Sequence, residues 1–139
     1  MAAVVAVPAA FYLLVKPHSE EAEVMVEIAD LGRLSDGKPQ EVVYTRTRMD
    51  GWKQVKEKTT AWVVKTDAQH VVAFAPQCTH LGCIYHWEPE ASSFVCPCHA
   101  SAFGIDGAVL DGPAPRPLDR HVTRIERGKV LIGPDIVKA

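Results

Sequence analysis

All four cysteines of this 139-residue chain fall between positions 78 and 98, and that crowding restricts the fold more than any other feature. The segment reads Cys78-Thr79-His80-Leu81-Gly82-Cys83 and, after a short insertion, Cys96-Pro97-Cys98-His99-Ala100-Ser101. Each box offers a thiolate and an imidazole close together, Cys78-x-His80 and Cys96-x-x-His99, so two tight loops can present ligands to one inorganic core. Residues two apart point to different sides of a helix, which makes the first box a loop. Pro97 does the same for the second, and Gly82 permits a close turn or a positive backbone angle. Facing loops of this kind put the cysteines at a buried end and the imidazoles at an exposed one, because neutral imidazole tolerates water and can carry a proton. Cys83 and Cys98 remain, one per box.

A Cys2His2 zinc site uses the same ligand types in a tetrahedral arrangement. It leaves Cys83 and Cys98 unexplained. The combined pattern is far more specific than a lone Cys-x-x-Cys, and it suits a cluster of two irons and two sulfides.

From about Ala75 to Arg120 the chain resembles the Rieske iron-sulfur protein family, in particular the bc-type subunit of quinol:cytochrome oxidoreductases, menaquinol-type and bacterial. The resemblance rests on C-T-H-L-G-C, on C-P-C-H-x-S, and on Gly112-Pro113-Ala114-Pro115-Arg116-Pro117, which looks like the proline loop that covers the cluster. It implies a 2Fe-2S cofactor with Cys78 and Cys96 on one iron, His80 and His99 on the other, and a Cys83–Cys98 disulfide. That bond would close a loop of about fifteen residues, worth ~3 kcal/mol in a chain-entropy treatment; the plain alternative is two inert buried thiols. Rieske ferredoxins and ring-hydroxylating oxygenases generally lack this pair.

The rest of the chain reads as an all-β protein, a Rieske-type antiparallel β-sandwich with a cluster-binding loop subdomain. Residues 1–15, MAAVVAVPAAFYLLV, carry no charge. They are shorter than the ~20 residues of a spanning helix and are expected to belong to a membrane-anchor helix, as the resemblance also implies; a signal-peptide core is the alternative. Residues 16–23, KPHSEEAE, are too polar to bury a face and are expected to form a hinge linker, ahead of a cluster domain over 24–139. Met25 to Ile28, Glu41 to Thr47, Ala61 to Val64 and Val71 to Ala73 with Phe74 read as strands, and Val122–Glu126 and Val130–Ile132 flank an Arg127-Gly128 hairpin turn. Asp50-Gly51 is a turn signal leading to Trp52. The formal charge of −2 and a pI near 6.3 give no basic footprint, so nucleic acid is not an expected partner.

Ser101 can donate a hydrogen bond to cluster sulfide and raise the potential; its bland role is loop capping. Phe103 stands where high-potential relatives have a tyrosine, so a lower potential and a menaquinol donor are expected. His86, His18, His70 and His121 read as ordinary surface or packing residues, and Trp52, Trp62 and Phe74 as core. The resemblance implies an electron-transfer subunit that is not catalytic alone. It would be membrane-anchored, with its head on the outer face of the cytoplasmic membrane and with a cytochrome b subunit and a c-type cytochrome as partners. His99, with His80, would accept the quinol hydrogen bond and proton, and Leu81, Gly82 and Pro113 would form the docking rim. The small subunit of an arsenite-oxidase-type molybdoenzyme resembles the same pattern and is the rival reading.

Overall fold

The structure, a computed structural model, describes residues 24–50 and 52–138. The anchor and linker expected over 1–15 and 16–23 lie outside the described residues. Among the described residues no helix is long and apolar enough to cross a membrane.

Two antiparallel sheets make up the described chain. The larger contains β1 (Val26–Asp30), β2 (Gln40–Asp50), β3 (Lys53–Lys65), β4 (Val71–Phe74), β9 (Arg120–Glu126) and β10 (Lys129–Val137), in the order β1-β10-β9-β4-β3-β2. The smaller contains β5 (His86–Glu88), β6 (Ser93–Cys96), β7 (Ser101–Phe103) and β8 (Val109–Asp111), in chain order. The strands expected around Val26, Glu41, Val63, Val71, Val122 and Val130 are all present. Their ends have local causes. Asp67 closes the β3–β4 turn, its Oδ1 accepting from the backbone N–H groups of Gln69 and His70 at 2.8 and 2.9 Å, and Arg127 and Gly128 both take positive φ between β9 and β10.

β3 is much longer than the apolar run Ala61–Val64 suggests, because Lys53 to Thr60 extends it as a polar ribbon against β2. Strand alternation cannot be read where neither face is strongly apolar. Trp52 also departs from expectation. It is 96 % exposed at the ribbon tip and not part of the core, since the hairpin carries it beyond the reach of any packed layer. Trp62 and Phe74 are buried as expected.

Two hydrophobic cores divide the molecule. Ile28, Leu34, Tyr44, Ala61, Val63, Val71, Ala73, Val130 and Ile132 fill the larger sheet with mostly aliphatic side chains. The other core is aromatic: Phe94 stands edge-on to Trp62, Phe74, Tyr85 and Trp87 at centroid distances of 4.9–5.8 Å. Edge-to-face contacts of this kind add to area burial. Cys78 and Cys96 belong to this second core, so the sheet junction is also the floor of the ligand boxes.

Candidate metal centre

The first box leaves the end of β4. Ala75 N–H donates to the Asp119 carbonyl at 2.9 Å, and Gln77 and Ile84 form an antiparallel bridge that closes the loop between them. Inside it, Cys78 N–H donates to the Cys83 carbonyl at 2.8 Å and Gly82 N–H to the Cys78 carbonyl at 2.9 Å. Gly82 takes φ of 78°, the left-handed conformation that glycine adopts without a side-chain penalty. The second box joins β6 to β7: Cys96 pairs with Ser101 across the strands, and Ala100 turns the chain at φ of 54°.

The donors segregate by type. Cys78 and Cys96 are free and buried, and they lie close enough for the Cys96 sulfur to act on the Cys78 thiol. The rings of His80 and His99 stand together on the outside, centroids 4.7 Å apart and nearly perpendicular. His80 is half-buried and His99 exposed. Burial pushes the Cys78 thiol up; the His80 backbone N–H opposes that rise, while the Cys96 sulfur adds to it. A bound cation resolves such a conflict by taking the place of the thiol proton. The Ser101 hydroxyl is fully buried without a hydrogen-bond partner of good geometry, although it sits near enough to the Cys78 sulfur to lower that thiol slightly. Buried hydroxyls are normally satisfied. Two thiols inside, two imidazoles outside and an orphan donor beside them suit a 2Fe-2S cluster, whose sulfides are the acceptors that Ser101 lacks.

Cys83 and Cys98 form a disulfide with an S–S distance of 2.11 Å and a Cα–Cα distance of 6.5 Å. The sulfurs of Cys83, Cys96 and Cys98 all lie within 4.8 Å of one another. This group is not itself a ligand set, because the disulfide leaves Cys96 as its single free thiol.

Further residues hold the boxes, and the motif spelling alone does not reveal their roles. Thr79 Oγ1 donates to the Arg116 carbonyl at 2.7 Å, tying the first box to the proline loop. Arg116 in turn grips Asp119 through both guanidinium nitrogens. Gly112 takes φ of 90°, and a Cβ there would stand 2.5 Å from the Ser101 Cα, so only glycine lets the proline loop lie on the second box. The Tyr85 hydroxyl donates to the Ala75 carbonyl at 2.6 Å, and burial drives its pKa far above the usual phenol range. Leu81, Gly82 and Pro113 are all exposed, with Leu81 at 71 %. Of the other histidines, His86 is exposed on β5, His70 pairs with Asp67 at 2.7 Å, and His121 is buried in the larger sheet against Tyr44; His18 lies outside the described residues. A cleft of ≈ 400 Å³ is lined by Glu27, Asp30, Arg33, Gln40 and Lys129, away from the boxes.

The family profile of the Rieske [2Fe-2S] domain matches residues 25–125. The chain belongs to the Rieske family. Its cofactor is accordingly the 2Fe-2S cluster for which the donor set is suited. The menaquinol:cytochrome c reductase iron-sulfur subunit of Geobacillus thermodenitrificans is 32 % identical over 113 residues, 78 % of this chain and 66 % of that one. The cytochrome b6-f complex iron-sulfur subunit of Chlorobaculum tepidum is 37 % identical over 70 residues, 50 % of this chain and 39 % of its own length. The chain thus spans less than two thirds of either relative. Among solved structures, the cyanobacterial plasma membrane Rieske protein of Synechocystis superposes with a TM-score of 0.51 at 31 % identity, covering 78 % of this chain and 97 % of that one. The ferredoxin of carbazole 1,9a-dioxygenase from Nocardioides aromaticivorans, at 22 % identity, has a TM-score of 0.52 over 81 % of this chain and 99 % of its own, and shows the fold alone.

Proposed function

We propose that this Rieske chain is the electron-transfer iron-sulfur subunit of a quinol:cytochrome c oxidoreductase of the bc type, taking electrons from menaquinol and delivering them to a cytochrome c haem. The observation that carries the reading is that the His80 and His99 rings stand together, His80 half-buried and His99 exposed, with the exposed Leu81 next to His80 in the chain. An outward imidazole can take up a proton while the cluster takes up an electron, which is what oxidation of a hydroquinone requires. In this reading Cys78 and Cys96 hold one iron and His80 and His99 the other. When bound, the cluster supplies a one-electron acceptor at the imidazole pole.

His99, the more open ring, accepts a hydrogen bond from the quinol hydroxyl and takes the proton as the electron leaves. His80 stands beside it and keeps the pole narrow. Leu81, Gly82 and Pro113 exclude water around the bound hydroquinone, while Ser101 donates to a buried acceptor and favours the reduced state. Residues 1–15 anchor the chain, residues 16–23 let the head travel towards the cytochrome, and the head lies on the outer face of the membrane. The relatives named as menaquinol:cytochrome c reductase subunits and the resemblance of the two boxes support this assignment.

Its test is co-purification of the full chain from native membranes together with quinol-driven reduction of its EPR signal. Recovery with cytochrome b and a c-type cytochrome is the expected result. Recovery with a molybdenum subunit instead, and no reduction by quinol, would overturn it in favour of the arsenite-oxidase type.

A further inference from the structure

The β2–β3 hairpin does more than close the sheet. The two strands stay paired from Gln40 opposite Val63 out to Asp50 opposite Lys53, but β4 pairs with β3 only along Trp62 to Lys65. Among the described residues the outer part of the hairpin is therefore a two-stranded ribbon with no third strand, a structure of marginal stability in water. Between Arg46 and Lys58 the sequence holds five basic and two acidic residues, in a chain of net charge −2. The two acids, Glu57 and Asp50, stand opposite Arg46 and Lys53, and Glu57 holds Arg46 at 3.0 Å. Lys56 and Lys58 instead face Thr47 and Thr45. Being two apart, they share one exposed face. Trp52 stands at the tip, 96 % exposed.

The direction of the ribbon gives this chemistry a place. β3 and β4 are antiparallel with Trp62 opposite Phe74. The chain passes from Phe74 to Cys78 on one strand and, traced backwards, from Trp62 to the ribbon tip on the other. Ribbon and ligand boxes thus leave the sheet in the same direction, the ribbon for roughly 30 Å of strand length.

We propose that this ribbon is a membrane-contact arm, with Trp52 seated in the headgroup region of the bilayer and Lys56 and Lys58 against anionic phospholipid headgroups. The inference rests on the quinol reading, which brings the imidazole pole, and with it the ribbon, to the bilayer surface. An indole ring prefers that interface, and lysine stems lie along apolar surface while their ammonium groups reach phosphate.

The test uses the full, cluster-loaded chain in vesicles of brominated phosphatidylcholine, alone or mixed with brominated phosphatidylglycerol, with tryptophan emission as the readout. The expected result is quenching that strengthens in the anionic vesicles, disappears in Trp52→Phe, and weakens by about fivefold in the contact equilibrium for each of Lys56→Gln and Lys58→Gln. An unchanged EPR signal in every variant shows that the head remains intact. Equal quenching of the parent chain and Trp52→Phe, or quenching indifferent to lipid charge, overturns the proposal. So does salt-sensitive binding of the ribbon to an acidic cytochrome without lipid quenching. Quinol reduction of the cluster is measured separately: its loss with Trp52 quenching intact counts against the quinol reading alone, and its presence without quenching counts against the arm alone.

Discussion

The two halves of the head are built on opposite principles. The larger sheet has strands of up to 13 residues around an aliphatic core, and it is held by long backbone ladders. The smaller has strands of three or four residues, too short to be stable by pairing alone. It depends on the Phe94-centred aromatic cluster, on the Cys83–Cys98 disulfide, on the Thr79 and Arg116 ties to the proline loop, and on the metal site itself. The contrast shows how a redox site can keep its ligands in loops and still hold them in place: cross-links replace strand length where backbone must stay open for coordination.

The sharpest way to break that contrast is Phe94→Ala. Phe94 touches four other aromatic rings across the sheet junction, and its truncation is expected to cost about 3–5 kcal/mol, measured by denaturant unfolding, with earlier cluster loss. An equal loss of hydrogen-exchange protection in β1 and β10 would show that the halves are one unit. Next comes the Cys83→Ser, Cys98→Ser double variant. It is expected to lose ~3 kcal/mol and to release iron faster under chelation, while the larger sheet keeps its protection; unaltered iron retention would remove the disulfide from the account.

A single added oxygen probes the site more gently. If Phe103→Tyr places a hydroxyl within reach of a cluster-bound sulfur, a hydrogen bond of ~1 kcal/mol to the reduced state raises the midpoint potential by roughly 40 mV. No shift in redox titration would mean that this position does not tune the site. The smallest effect belongs to the larger sheet. His121 is buried edge-on to Tyr44 with centroids 6.3 Å apart, and neither ring nitrogen has a partner of good geometry. Burial lowers its pKa, with a contribution from Arg46, while the Gly133 backbone works the other way. Its proton is therefore bound more readily in the unfolded chain. This contribution to stability is complete above the unfolded value near pH 6.5 and declines as the pH falls below it towards the folded-state pKa. His121→Phe is expected to flatten that part of the stability profile; an identical acid slope in both proteins would assign it elsewhere.

Legibility in the sequence divided along the same line. The ligand boxes could be read because their chemistry is local: thiolate, imidazole, proline and glycine at fixed spacing. The strands of the larger sheet could be read because Val, Ile and Phe alternate or cluster there. β5 to β8 could not, since strands of three or four residues are too short to show a period. Lys53 to Thr60 carries no strand signal because its pairing to β2 is not driven by burial, and the place of Trp52 outside the core is not legible because residue type says nothing about where a hairpin carries it. The tie from Thr79 to Arg116, 37 positions apart, and the close approach of Gly112 to Ser101 arise only when the loops are folded together.

Two buried thiols and two outward imidazoles are expected to hold one 2Fe-2S cluster. EPR of the reduced full chain, with nitrogen-15 label in histidine and pulsed detection of the coupled nuclei, tests it most directly. The expected result is a signal coupled to two histidine nitrogens that His80→Ala and His99→Ala each abolish, with about two irons per chain by metal analysis. A single metal ion per chain with no EPR signal, or a signal indifferent to either histidine, would contradict it.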